Sequence, residues 1–203
     1  MKIGITGGIG SGKTYICKLL QEKGFPIYLC DDNAKRLMQE NEEIRRQLTS
    51  LIGDAYTPEG LNKSAIAQYL FQSKNNAQKI NLIVHPIVIQ DMTEWCGRQS
   101  ADLCFIESAI LYETGLEQMM DKTVLVYADE ETRLLRAIKR DGTTEEKIKE
   151  RMAQQMLSEE QLRRADYVIH NNSNNQDIEA EIQKMITALS PPHRQRDTYN
   201  TDG

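Results

Sequence analysis

A glycine-rich segment near the amino end of the chain carries the clearest chemistry in the sequence. Residues 7–14 read GGIGSGKT and match the pattern GxxxxGK[ST] in full. In such a loop, successive N–H groups point into one concavity and bind phosphate oxygens, and the positive end of the following helix adds to that field. We therefore predict a phosphate-binding loop (P-loop) for a nucleoside triphosphate, in which Lys13 reaches the β- and γ-phosphates and the Thr14 hydroxyl ligates Mg²⁺. The residues expected to hold the triphosphate are Gly10, Ser11, Gly12, Lys13, Thr14 and Tyr15.

The segments around this loop predict an α/β fold. Short apolar runs alternate with segments of helical periodicity, which favours an open, mainly parallel sheet of five strands flanked by helices. The predicted strands are Lys2–Thr6, Pro26–Cys30, Leu103–Ile106, Thr123–Ala128 and Asp166–His170. The predicted helices include Gly12–Lys23, Asn33–Gln39, Glu130–Lys139, Glu145–Leu162 and Asp177–Leu189. Ligands of such sheets bind beyond the carboxyl ends of the strands, so polar residues that directly follow a strand are candidate site residues.

Three further regions stand out along the chain. Residues 42–97 are polar and helical in pattern, apart from a turn sequence at 57–60, and are predicted to form a helical insertion. About half of residues 130–164 are charged, which suits a mobile helical lid of the kind that brings arginines to phosphates. We expect residues 1–189 to form a single domain and residues 190–203, which have nothing to bury, to be a disordered tail.

The composition argues against several classes of protein. A net charge of −5 and a pI of about 5.4 argue against binding to nucleic acid. No run approaches the ~18 apolar residues of a membrane span. The four cysteines have spacings that suit neither a zinc site nor a disulfide framework, so we interpret them as reduced thiols of a cytoplasmic protein. The three histidines are too dispersed for a metal cluster. A monomer is expected, although the sequence leaves the oligomeric state open.

Two adjacent acids, Asp31 and Asp32, follow the second predicted strand. By position alone, a helix cap and a site carboxylate facing the P-loop explain Asp31 equally well. Asp32 points elsewhere in an extended strand and is interpreted as the cap of the next helix.

Several separated motifs together resemble those of the dephospho-CoA kinase family, from about residue 2 to residue 188. They are the opening Gly4–Lys13, Asp31 with Ala34-Lys35, Leu61-Asn62-Lys63, His85-Pro86, Leu111-Tyr112-Glu113, Arg136–Arg140, Gln155, Ala165–Ile169 and Asn171. Two positions depart from the family pattern. Leu29 stands where the family has the first aspartate of a D-x-D pair, which implies that a carboxylate at this position is not essential here. Tyr15 stands where the family often has Thr.

The resemblance implies a P-loop NTPase fold and transfer of the γ-phosphate of ATP to the ribose 3′-hydroxyl of 3′-dephospho-CoA. It implies that Asp31 orients or deprotonates that hydroxyl, with the insertion on the acceptor side. Lys13 and Arg140 would offset the developing charge. Lys63, His85 and Arg136 are assigned to the substrate side.

Simpler interpretations of these side chains stay open. Arg140 is also a favourable cation at the carboxyl end of a helix. His85 precedes Pro86 and is also a packing or turn residue in extended backbone, and Lys63 is also a solvated charge.

Two other functions remain as alternatives. A nucleoside or nucleoside-monophosphate kinase would use the same P-loop and lid. A nucleotide-dependent switch protein is disfavoured, because the chain has no D-x-x-G sequence and its Asn62-Lys63 lacks the aspartate of N-K-x-D.

Overall fold

The computed structural model describes residues 1–73, 75–153, 155–156, 158–172 and 175–190. The predicted disordered tail, residues 190–203, lies outside the described residues except for Ser190. Within the described part of the chain, no helix combines the length and the apolar character needed to cross a membrane.

A parallel five-stranded sheet forms the centre of the molecule, as predicted. The strands in chain order are β1 (Lys2–Thr6), β2 (Ile27–Leu29), β3 (Tyr56–Thr57), β4 (Gly60–Leu61), β5 (Cys104–Glu107), β6 (Lys122–Tyr127) and β7 (Tyr167–His170). The central sheet has the order β2-β5-β1-β6-β7, and every neighbouring pair is parallel. The short strands β3 and β4 form a separate antiparallel hairpin at the predicted turn. The α/β fold class is therefore confirmed.

Helices cover both faces of the sheet. They are α1 (Lys13–Glu22), α2 (Cys30–Glu40), α3 (Glu42–Ile52), α4 (Lys63–Gln72), α5 (Asn76–Gly97), α6 (Glu130–Asp141), α7 (Glu145–Met152), α8 (Ser158–Arg164) and α9 (Asn175–Leu189). Side chains alternate between the two faces along each strand. In β5, Phe105 joins a core cluster with residues of α1 and α9, whereas Cys104 and Ile106 join a cluster with residues of α2, α3 and α5.

Three local predictions were wrong. The second helix begins at Cys30 rather than Asn33, so Asp31 and Asp32 both lie in its first turn and Leu29 is the N-cap; Asp32 is not the cap. The single helix predicted over 145–162 is two helices, α7 and α8. His85 is not extended, because α5 continues through Pro86.

Candidate active site

The P-loop connects the end of β1 to the start of α1, and its path depends on glycine. Gly10 and Gly12 have φ values of +78° and +94°, which favour glycine over other residues. A Cβ on Gly10 would lie 2.1 Å from the carbonyl oxygen of Arg133, and a Cβ on Gly12 would lie 2.1 Å from Nδ2 of Asn171. The loop is therefore packed tightly against α6 and against the chain that follows β7.

Lys13 is enclosed by the loop that precedes it. Its Nζ donates a hydrogen bond to the carbonyl oxygen of Gly7 at 2.7 Å, and the carbonyl oxygen of Gly8 lies 3.5 Å away. Burial lowers the pKa of Lys13, while the carboxylates of Glu107 and Asp31 act in the opposite direction. The ammonium group thus occupies the concavity that the P-loop forms.

Two carboxylates share the electrostatic environment of Lys13. Asp31 is exposed in the first turn of α2, and Glu107 is the buried last residue of β5. Burial raises the pKa of Glu107, Lys13 lowers it, and Asp31 raises it further. The parallel pairing of β2 with β5 aligns Leu29 with Glu107, which brings these two strand ends together.

Glu107 was missed in the sequence analysis. The predicted strand stopped at Ile106, one residue before it. The available signal was an acid at the end of a fully apolar run, which is the position where parallel sheets place site residues.

A small groove opens beside Asp31, with a volume of about 100 Å³. Its polar residues include Asp31, His85 and Ser108, so the structure brings together two of the predicted site residues. The apolar part of its wall consists of Ala34, Val88, Ile89, Ile110 and Leu116, with Cys30 and Thr114 completing the lining. Burial lowers the pKa of His85, and Asp31 opposes this shift. The groove therefore presents a carboxylate and an imidazole next to apolar surface.

Arg140 lies in the field of the P-loop but is bound to another residue. Its Nε and one terminal nitrogen contact the two carboxylate oxygens of Asp141, at 2.6 and 3.1 Å. Arg151 of α7 also donates to Asp141, at 2.7 Å. The positive charge of Arg140 contributes to the lowered pKa of Lys13. These bonds use Nε and one terminal nitrogen of a guanidinium that has five N–H donors, so further donors of Arg140 stay available for a phosphate.

Arg136 contacts the segment that follows β7, beside the P-loop. It donates to the backbone oxygen of Asn171 at 2.8 Å. The buried side chain of Asn171 in turn donates from Nδ2 to the backbone oxygen of Ser11 at 2.7 Å. This chain of contacts connects the lid segment to the P-loop.

The remaining predicted residues are more dispersed. Thr14 is exposed in the first turn of α1, and the half-buried Tyr15 packs against the core cluster beneath that helix. Packing against the core accounts for the bulk of Tyr15 at this position. Lys63 is exposed at the start of α4, and within the described residues it forms no hydrogen bond or ion pair with the groove.

A larger cleft, of about 600 Å³, lies between the P-loop and the charged helical segment. Gly8 of the loop, Arg133 of α6 and Lys149 of α7 line it, together with Gln155. Gly8 of the P-loop lines the cleft, and Asp31, whose charge acts on Lys13, lines the groove. Two ligands could therefore meet near Lys13.

The parallel sheet, the glycine loop around Lys13 and the carboxylates at the ends of β2 and β5 define a P-loop kinase. A family model described as dephospho-CoA kinase matches residues 1–177, and the chain belongs to that family. The resemblance of the sequence motifs is thereby confirmed.

Similar proteins agree with this assignment. A dephospho-CoA kinase from Bacteroides fragilis is 41% identical over 174 residues, covering 85% of both chains. A solved structure from Thermus thermophilus is 32% identical, has a TM-score of 0.82, and covers 94% of this chain and 98% of its own. Dephospho-CoA kinase from Campylobacter jejuni shares the fold, with a TM-score of 0.68 at 23% identity over 94% of this chain and 98% of its own.

Proposed function

We propose that this protein transfers the γ-phosphate of ATP to the ribose 3′-hydroxyl of 3′-dephospho-CoA, giving ADP and CoA. The observation that carries the proposal is the placement of Lys13 in the field of two carboxylates, one of which, Asp31, also lines a groove with His85. Phosphoryl transfer depends on positioning and charge stabilisation more than on covalent chemistry, so this set of groups suffices.

On the donor side, the residues from Gly10 to Tyr15 bind the phosphates of ATP. Lys13 exchanges its contact with the Gly7 carbonyl for phosphate oxygens and stabilises the charge that develops during transfer. Among the described residues the buried Ser11 hydroxyl has no hydrogen-bond partner, which fits a loop completed by an anion. The exposed Thr14 hydroxyl would hold Mg²⁺, which would neutralise phosphate charge.

On the acceptor side, Asp31 orients the ribose hydroxyl and accepts its proton. His85 lies in the same groove and contacts the substrate there. Lys63 and Arg136 are assigned to the substrate side through the family motifs alone; in the structure Arg136 contacts Asn171.

Arg140 would act through a movement of the helical segment that carries it. We assign residues 130–164 to a lid whose closure moves Arg140 onto the transferring phosphoryl group. Residues 1–189 would work as one kinase domain, with residues 42–97 as the acceptor-binding insertion. We place this enzyme in the cytoplasm, where it acts on small molecules as a monomer and binds neither nucleic acid nor membrane.

Acceptor-dependent release of ADP tests the proposal. The purified protein is given Mg-ATP with dephospho-CoA, and we expect rapid release of ADP with formation of CoA. CoA itself is the matched control, because its 3′-hydroxyl already carries a phosphate and cannot accept another. Release that depends on nucleosides or nucleoside monophosphates would replace this proposal with the alternative kinase. Slow hydrolysis without any stimulation would indicate a switch protein.

A further inference from the structure

Two cysteines of different elements lie together at the amino end of β5. Cys96 is in the last turn of α5, and Cys104 is the first residue of β5. Their Sγ atoms are 4.0 Å apart, although the residues are eight positions apart in the chain. The Cys104 thiol also lies 3.5 Å from the backbone oxygen of Met1, so it is held in place by the start of β1.

The two sulfurs of this pair are in contact but are not bonded. A disulfide has an S–S distance of about 2.05 Å, so the two sulfurs must approach each other by about 2 Å. Cys96 is only half-buried and lines a surface cavity of about 410 Å³ together with Cys104. Rotation of the Cys96 side chain has room in that cavity, and a small thiol reagent can enter it. The connecting residues 97–102 are mostly exposed and can adjust.

We propose that Cys96 and Cys104 form a dithiol modification site that closes to an intramolecular disulfide on reaction with a low-molecular-weight disulfide. The Cys96 thiolate attacks one sulfur of the reagent, forms a mixed disulfide and releases the first thiolate. Cys104 then loses its proton and attacks the Cys96 sulfur, which releases the second thiolate. The protein loses two electrons and two protons in total, and the reagent is reduced to two thiols.

We expect Cys96 to be the first nucleophile, because its side chain is more exposed than that of Cys104. Burial is the main reason that the pKa of Cys96 is raised to about 11. The neighbouring Cys104 adds to this increase, and the nearby Lys2 opposes it. Burial raises the pKa of both Cys17 and Cys30 to about 12, and both side chains are buried. The reaction at Cys96 is therefore slow at neutral pH, and proximity of the two sulfurs favours the closed product.

The cross-link would join two elements that both extend to the groove. Cys96 and His85 are on the same helix, and β5 runs from Cys104 to Glu107. The inference does not depend on the reaction assigned above, because it concerns only the two thiols.

Peptide mapping of the folded protein tests the site directly. The full chain is equilibrated with reduced and oxidised glutathione, free thiols are blocked with N-ethylmaleimide, and the protein is digested with trypsin. Cleavage places each cysteine in its own peptide: Cys17 in 14–18, Cys30 in 24–35, Cys96 in 80–98 and Cys104 in 99–122. We expect a disulfide between peptides 80–98 and 99–122, with Cys17 and Cys30 blocked by the maleimide.

Single-cysteine replacements and the unfolded chain test whether the folded structure, and not only the short distance in sequence, favours the cross-link. Cys104→Ser should leave Cys96 as a mixed disulfide, and Cys96→Ser should leave Cys104 largely unmodified. The same equilibration in urea should give an equilibrium constant for the cross-link at least tenfold smaller than that of the folded chain. Equal constants in the two states, cross-links to Cys17 or Cys30, or mixed disulfides alone in the unmutated protein would each overturn the proposal.

Discussion

The side-chain oxygen of Gln155 accepts a hydrogen bond from the backbone N–H of Ile9 at 2.8 Å. The other end of the same amide donates from Nε2 to the backbone oxygen of Ala109 at 3.2 Å. Ile9 belongs to the P-loop, and Ala109 lies between Ser108 and Ile110, two residues of the groove wall. One side chain from the charged segment 130–164 therefore connects the P-loop to the wall of the groove.

Gln155→Ala should reduce kcat/KM for dephospho-CoA phosphorylation by up to about 30-fold. A hydrogen bond of this kind contributes about 1 kcal/mol, and the truncation removes two of them and leaves the Ile9 N–H without its partner. Steady-state kinetics with ATP and acceptor varied in turn measures the effect. Gln90→Ala is the control, because Gln90 is exposed and, within the described part of the chain, its side chain bonds to Glu94 alone. A loss of folding stability with unchanged kinetics would mean that Gln155 is only a structural tether.

The contacts of Gln155 also explain why the structure of the proposed lid was only partly predictable. The sequence of residues 145–162 has helical periodicity throughout, and one helix was predicted there. The structure ends α7 at Met152 and starts α8 at Ser158, and Gln155 between them bonds to two distant backbone groups. Such tertiary contacts override local helix propensity and leave no local pattern.

Gly12→Ala should cost more stability than the same change at the other end of α1. Gly24 has φ +87° with open space around its Cβ position, so Gly24→Ala adds about 1–2 kcal/mol of backbone strain only. Gly12 has φ +94° and would in addition place a Cβ 2.1 Å from Nδ2 of Asn171. Urea unfolding and ATP titration of both variants give the comparison. We expect Gly12→Ala to weaken ATP binding at least tenfold, and equal stability losses with unchanged binding would contradict the packing argument.

Asp31→Asn should leave ATP binding nearly intact and lower kcat by about 10²–10⁴-fold, the usual contribution of a general base. Asp32→Asn is a closely matched control, since Asp32 is the next residue, is exposed, and pairs with Lys35 at 3.0 Å rather than lining the groove. Kinetics and ATP titration of both variants distinguish their roles. If Asp31→Asn abolishes ATP binding while the rate at saturation survives, Asp31 is a metal or folding residue.

The two acids of the site differ in how far the sequence could reveal them. Asp31 was found because it follows an apolar strand and matches a family motif. Glu107 interacts with Lys13 because β5 lies between β2 and β1 in the sheet. This strand order is a property of the tertiary fold. The P-loop itself was predictable in full, since its glycines and Lys13 are adjacent in the chain.

The helix around His85 was mispredicted for a different reason. A residue before proline favours extended backbone, and Pro86 removes one helix hydrogen bond. However, Ile80, Val84, Val88 and Met92 recur every four residues and are buried along α5. This burial outweighs the lost hydrogen bond, and the continuous helix carries His85 to the groove.

Asp141→Asn should remove a pH-dependent part of the folding stability. Arg140, and then Arg151, lower the pKa of Asp141 to about 2 in the folded protein, from an ordinary value of 3.8. Because the folded pKa is depressed, the contribution is fully present above about pH 4 and is lost as the pH falls towards 2. Urea unfolding between pH 2.5 and 7 should show a stability gap between the protein and the variant that is constant above about pH 4 and narrows as the pH falls towards 2.5. Asp54→Asn, which removes an exposed carboxylate without an ion pair in the described chain, is the control for net charge. A gap that stays constant with pH would mean that the Asn side chain, and not the lost ion pairs, causes the destabilisation.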